Sequence, residues 1–432
     1  MAATLRLNTR CIRNMRKVAT FSRLSSHSVL AVADTPFAPC QFRPFATSIL
    51  NFQPKQLPRP FHPKAPHSIS DPSLPIRFSV RFTATVATAR STSKSTSCLP
   101  PNAISSPVYK HPTSGILSLL PSTFVPYAEL MRLDRPTGTY YLYLPCLFST
   151  LLAPLVTTPV PPPTSLLAVN ALLFIGSGLF RSAGCTWDDI LDRDLDPKVT
   201  RTRLRPLARG AVGVQQAYAC LAAQTITGAG ILMAAFPPVC FLYALPSVAV
   251  TAIYPLAKRV THYPQVVLGF AMSWGIIIGF PAMGIDLFAN PTALAAAGTL
   301  YCANVIWTVL YDTIYAHQDV KEDIKVGIKS IAVKHGAKTL LSGLAATQVV
   351  LLATTGWIVG AGPVYFIGTC GGAMTALATM IWRVRLNRPA DCGWWFQWGC
   401  WFTGGSIASG LMGEYWLRWT KEGGGRRWKG EE

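Results

Sequence analysis

Charge is what this sequence is short of. Only 13% of its 432 residues are charged, while 50% are hydrophobic; a soluble domain carries roughly a quarter charged residues. That excludes an ordinary soluble enzyme and points to a membrane. Paired cysteines are missing as well. The eleven cysteines contain no CxxC pair and no Cys/His spacing of a zinc site. Cys146, Cys220, Cys240, Cys302 and Cys370 lie inside apolar runs, where cysteine acts as a small hydrophobe. Neither a disulfide framework nor zinc is expected.

The first hundred residues lack acid. Fourteen Lys and Arg, from Arg6 to Lys94, face only Asp34 and Asp71, so this stretch supplies +12 of the formal +20. The basicity therefore belongs to the leader, and no nucleic-acid partner is expected. The opening "MAATLRLNTRCIRNMRKVATFSRLSSHS" also lacks an uninterrupted apolar core, which argues against a secretory signal. Rich in Arg and Ser, residues 1–45 read as a mitochondrial transit peptide. Arg10, Arg13, Arg16, Lys17 and Arg23 would form the basic face of an amphipathic helix. Residues 46–120, dense in Pro, Ser and Thr, are expected to be disordered. A transmembrane domain over 121–417 and a charged tail over 418–432 complete the expected organisation.

From residue 136 onward, apolar stretches of about twenty residues alternate with short connections, the length a bilayer-spanning helix requires. They fall near 136–156, 165–186, 213–235, 238–257, 265–285, 292–315, 338–359, 363–382 and 396–416. The expected fold is an all-α membrane protein of about nine transmembrane helices around a central cavity, behind a disordered N-terminal leader. The connections after spans one, three, five and seven ("TTPVPPPTS", "FPPV", "DLFANP", "GAGP") carry no Lys or Arg. Those after spans two, four, six and eight carry Arg201, Arg203, Arg205 and Arg209, then Lys258 and Arg259, then Lys321, Lys325, Lys329 and Lys334, then Arg383, Arg385 and Arg388. The positive-inside rule places the second set on the cytoplasmic or matrix side. Nine spans would put the basic C-terminal tail on the other side, against that rule.

Acids are the scarcest charge in the spanning region. Between residues 140 and 390 there are ten: Asp188, Asp189, Asp192, Asp194 and Asp196, then Asp312, Asp319, Glu322 and Asp323, with Asp286 alone elsewhere. Both clusters end an even-numbered span, and ionisable groups at membrane depth mark function by default. Asp188, Asp192 and Asp196 recur at i, i+4, i+8; Asp312, Asp319 and Asp323 recur at i, i+7, i+11, each one stripe of a helix. Carboxylates stacked on one face repel unless a cation sits between them. Magnesium suits that role, since it takes oxygen ligands, typically one or two carboxylates plus substrate phosphates. Arg201, Arg205, Lys258, Arg259 and Lys329 would then grip the remaining phosphate charge. Cys185 and His317 are the nearby soft ligands, too few for a soft-metal site. "RLDRPTG" (132–138) and "WWFQWGCWF" (394–402) read as interfacial anchors.

These motifs resemble those of the UbiA-type intramembrane aromatic prenyltransferases, whose pattern is NDxxDxxxD after the second helix and DxxxD after the sixth. This chain has "DDILDRDLD" (188–196) and "DVKED" (319–323), with Asp188 where the family usually has Asn. "LDRPTGTYYLYLPC", "RSAGCTWDD", "VTRTRLRPLARG", "YPLAKR" and "YDTIYAHQD" extend the match, which covers roughly residues 125–415. In detail the chain looks most like the branch acting on 4-hydroxybenzoate in mitochondrial ubiquinone synthesis. The resemblance implies two Mg²⁺ held by Asp192, Asp196, Asp319 and Asp323, assisted by Asp188 and Asp189. It implies Arg201, Arg205 and Lys258 on the diphosphate, Tyr254 and Asp312 lining the site, and Arg181 at the aromatic acid's carboxylate. The implied substrates are a polyprenyl diphosphate and 4-hydroxybenzoate. The implied location is the mitochondrial inner membrane, with the site facing the matrix and other ubiquinone-synthesis proteins as associates. Two other readings stay open: another phenolic acceptor, as in fungal meroterpenoid or haem A pathways, or a transporter with a central cation site.

Overall fold

A computed structural model describes residues 109–335 and 338–423. The transit peptide, most of the segment expected to be disordered and the end of the tail lie outside the described residues. Everything regular among the described residues is helix. Eight helices are long and apolar enough to cross a membrane: Thr137–Val156, Pro163–Leu191, Val214–Ala235, Pro238–Val260, Pro264–Ala282, Pro291–Ala316, Lys338–Ile358 and Pro363–Arg383. These are the first to eighth spans. The ninth expected span is present as a helical run, Pro389–Gly399, Cys400–Gly404 and Gly405–Lys421, whose middle turn is π-helical. Asp391, Glu414, Arg418 and Lys421 make it more polar than the others. It runs past the boundary expected at 417.

Proline sets many of these starts. Pro163, Pro238, Pro264, Pro291, Pro363 and Pro389 each stand at the first helical position, where a missing N–H costs nothing and φ is already helical. Burial then sorts the spans. The first, fifth and sixth are largely enclosed, whereas the second, third and fourth turn most of their surface outward, as lipid-facing helices do. Close approach in the interior depends on small residues. In "GIIIG", a Cβ on Gly275 would lie 2.5 Å from the Cys146 sulfur, and one on Gly279 would overlap the Ser149 hydroxyl. The fifth span is thereby pressed onto the first. Around this seam sits an aromatic core of Tyr141, Phe148, Trp307, Tyr365 and Tyr415.

Before the first span, residues 109–120 are not wholly irregular, contrary to expectation. Ile116–Leu119 forms a 3-10 turn and buries Leu117. A short helix, Val125–Leu130, follows, with Val125 and Leu130 fully buried. Burying these apolar side chains offsets the entropy of ordering the segment. The other face of this segment leaves Leu119 and Phe124 exposed.

Candidate functional site

The two acid clusters do not lie on continuous helices. The second span stops at Leu191 with Asp192 as its C-cap, and Asp196 opens a separate 3-10 turn, Asp196–Lys198. The sixth span stops at Ala316, and Asp319 caps a new short helix, Val320–Val326. The expected stripes are therefore broken, for an electrostatic reason. A helix C-terminus is the negative end of its dipole, where Asp188, Asp189 and Asp192 are unfavourable. The break after Ala316 puts Asp319 and Asp323 at the positive start of a new helix. Pro197 also lacks the N–H that an unbroken α-helix would need there. Acids in such a place need cations.

Protein cations supply part of that need. Arg205 Nη1 lies 3.0 Å from Asp196, 3.0 Å from Asp189 and 3.9 Å from Asp188. Lys258 Nζ lies 3.2 Å from Asp188 and 3.5 Å from Asp192, and 4.8 Å above the Tyr254 ring. Arg201 crosses between the clusters. Its Nε donates to Asp319 Oδ2 at 2.7 Å and its Nη1 to the Tyr315 hydroxyl at 3.1 Å. A second bridge joins the same two loops: the Thr200 N–H and hydroxyl donate to Glu322 at 2.8 and 2.7 Å.

These groups surround a cavity of about 830 Å³. Its wall includes Asp188, Asp192, Asp196, Asp312, Asp319 and Asp323, with Arg181, Arg201, Arg205, Tyr254, Lys258 and Lys329. Tyr141, Leu268 and Met272 supply an apolar part of the wall. Thus most of the residues singled out from the sequence come together. Two do not line the cavity. Asp189 is 0% exposed and is held by Arg132 at 2.6 Å and by Arg205, so it anchors guanidinium groups instead of facing the cavity. Arg259 is exposed, donates to the Leu191 carbonyl at 2.8 Å and reaches Asp192 only at 3.4 Å. Lys329 lines the wall, but its ammonium already donates to the Val260 carbonyl.

Burial shapes the chemistry outside the spans. It pushes the Asp196 carboxyl up to about 6, against the pull of Arg205. It also pushes Asp323 up to about 6, helped by the charge of Asp319. The Asp323 side chain has no ion-pair partner among the described residues. A buried, unpaired carboxylate is costly unless a cation arrives. Arg201 and Arg205 lose some solvation by burial, yet their acidic and phenolic neighbours hold both firmly charged.

No three metal-ligating side chains converge into a preformed cage among the described residues. The donor set still fits magnesium. It is all carboxylate oxygen, it is short of positive charge at Asp323, and magnesium keeps waters and takes substrate oxygens to complete its shell. Asp192, Asp196, Asp319 and Asp323 are the carboxylates that could hold it.

Sequence reasoning missed Arg132, Glu129 and Arg209. Arg132 adopts a left-handed backbone, φ 59°, rare for a non-glycine residue. It is held there by bonds to the Glu129 carbonyl (3.0 Å) and Asp189. The Glu129 carboxylate takes Arg209 at 2.5 Å and the Tyr109 hydroxyl at 2.8 Å. The signal available was "RLDRPTG", read only as an anchor; nothing local shows that its first arginine reaches 57 residues along the chain.

Comparison with known proteins follows from this geometry. The profile of the UbiA prenyltransferase family matches residues 143–403. The mitochondrial 4-hydroxybenzoate polyprenyltransferase of Schizosaccharomyces pombe is 43% identical over 276 residues, covering 63% of this chain and 75% of the relative. The enzyme of the same name from Saccharomyces cerevisiae is 41% identical over 285 residues, covering 65% and 74%. Among solved structures, a UbiA homolog from Aeropyrum pernix superposes with a TM-score of 0.52 at 22% identity, over 63% of this chain and 96% of that one. That likeness concerns the fold alone.

Proposed function

The chain belongs to the UbiA prenyltransferase family, and on that premise we propose that it transfers a polyprenyl group from an all-trans polyprenyl diphosphate to 4-hydroxybenzoate. The product is 3-polyprenyl-4-hydroxybenzoate, an intermediate of ubiquinone synthesis. The observation that carries this reading is the pair of acid clusters, at the ends of the second and sixth spans, meeting across one cation-rich cavity. The names of the 41–43% identical relatives support the acceptor. They also support a mitochondrial location, which the acid-poor leader favours; we place the site on the matrix side of the inner membrane, where the basic loops lie.

In this reading Mg²⁺, when bound, neutralises the charge that develops on the leaving diphosphate. Asp192, Asp196, Asp319 and Asp323 would hold it, with Asp188 beside them. Arg201, Arg205 and Lys258 turn from their aspartates towards phosphate oxygens, where preorganised cations stabilise departure. The C–O bond of the donor breaks and the electron pair leaves with diphosphate. The allylic cation is sheltered by the apolar wall, which excludes water that would quench it. The ring carbon ortho to the phenol attacks, a C–C bond forms, and that carbon loses its proton. Asp312, on the cavity wall with no ion-pair partner among the described residues, is placed to accept it. Tyr254 flanks the ring site, and Arg181 meets the acceptor's carboxylate.

The test is product formation. Membranes containing the full chain, given labelled 4-hydroxybenzoate and a polyprenyl diphosphate, should form prenylated hydroxybenzoate with Mg²⁺ and none with a chelator. No product with either would overturn the reading.

A further inference from the structure

Arg181 differs from the other arginines of the cavity. Arg132, Arg201 and Arg205 each hold a carboxylate, whereas Arg181 has no ion-pair partner among the described residues. Among the described residues its side chain hydrogen-bonds only to the Cys185 sulfur, one turn along the same helix. Asp188 and Asp312 act on this enclosed guanidinium only through space, so an anion in direct contact would complete it. Its backbone lies seven residues, about 10 Å of helix axis, below Asp188, away from the clamp for the diphosphate. The anion it awaits is therefore a second one.

The other side of this guanidinium rests on Gly138. A Cβ there would overlap Arg181 Nε and lie 2.6 Å from Nη2 and 2.8 Å from Cζ. Such distances do not occur in real packing, so one group would have to move. The Gly138 backbone is fixed in the first helical turn of the first span, while the guanidinium is the free end of a long side chain. A methyl group at 138 would displace the arginine head and leave the helix in place.

We propose that Gly138 and Cys185 form a two-sided cradle that positions the Arg181 guanidinium for the acceptor's carboxylate, making Gly138 a determinant of preference for an acidic over a neutral phenol. This rests on the prenyltransferase reading above. Gly138 is a positioning residue, acting through Arg181.

The test compares 4-hydroxybenzoate with its neutral analogue 4-hydroxybenzamide, used as an alternative acceptor or, where it is not turned over, as a competitor. Wild-type membranes should prefer the acid. Gly138→Ala should lower kcat/KM for the acid by about tenfold to a hundredfold, the range for losing one charge-assisted contact. Most of the fall should be in the acid's KM, with the amide and the KM of the donor unchanged. Arg181→Gln should show the same collapse of preference, and Cys185→Ala, which removes a contact without adding one, a smaller collapse. The KM of the donor reports whether each variant is folded; if Gly138→Ala is not, Cys185→Ala decides. An unchanged acid-to-amide ratio in a folded variant, or an equal fall for acid, amide and donor, would overturn the cradle. A wild type inert towards 4-hydroxybenzoate would instead overturn the functional reading.

Discussion

At the end of the bundle away from the cavity, one arginine closes the carbonyls of two helix ends; at the cavity end, carboxylates crowd where helices run out. Both ends carry the same unsatisfied C=O groups and the same negative dipole poles. Arg418 settles the first case. Its guanidinium donates to the carbonyls of Leu155 (2.7 Å), Val359 (3.1 Å) and Gly360 (2.7 Å), and pairs with Glu414 at 3.4 Å. Glu414 is buried against Gly362. The cavity end crowds acids where two spans run out and leaves Asp323 without an ion-pair partner among the described residues, a balance that an added cation would restore. One end is closed for stability, and the other is held open for a charged ligand.

Swapping the effects of the two ends would break this comparison. The largest expected change is Asp323→Ala, which should cut prenyl transfer by about a hundredfold to a thousandfold, as loss of a preorganised electrostatic group does. The melting temperature of the metal-free protein in detergent should not fall, because an unpaired buried charge has gone. Arg418→Ala should do the reverse. Freeing three carbonyls and Glu414 should cost about 2–4 kcal/mol of stability, seen as a lower Tm, with kcat per folded molecule kept. Arg201→Ala should come next, raising the KM of the donor by about tenfold through loss of both the phosphate contact and the bridge to Asp319. Unchanged donor binding would show that the bridge between the two loops is incidental.

Acidity should sharpen the same contrast. Asp196 and Asp323 are raised to about 6 from an unfolded carboxylate value near 4, so between those values the folded state holds more protons than the unfolded one. Metal-free stability should therefore fall as pH rises from about 4 to 6. Metal binding needs the ionised forms, so the Mg²⁺ concentration for half-maximal activity should rise as pH drops below about 6. A half-saturation point independent of pH would contradict the assignment of these two carboxylates. The smallest effect is expected for Arg259→Ala, about twofold at most, as for an exposed and weakly paired charge.

Much of this was legible in the sequence because it depends on length and local spacing. Twenty-residue apolar runs mark the spans, and basic connections alternate with uncharged ones. The scarcity of acids exposes Asp188–Asp196 and Asp312–Asp323 at once. What was not legible depends on contacts far apart in the chain. Asp189 looks like its neighbours in "DDILDRDLD" but is turned inward onto Arg132. Arg418 looked like tail charge on the wrong side, and the positive-inside count stumbled on it; it is spent on backbone carbonyls some 60 and 260 residues away. The breaks after Leu191 and Ala316 follow from dipole and charge repulsion that a simple periodicity count ignores.

The central claim is that two acid clusters, one after the second span and one after the sixth, act as a single clamp on one diphosphate. It is tested most directly by comparing prenyl transfer in Asp192→Ala, Asp319→Ala and the double variant, at equal folded concentration and saturating Mg²⁺. Groups that act as a unit are strongly non-additive, so the account predicts that either single variant falls nearly to the residual rate of the double. Independent losses that multiply in the double variant, or full activity in either single one, would contradict it.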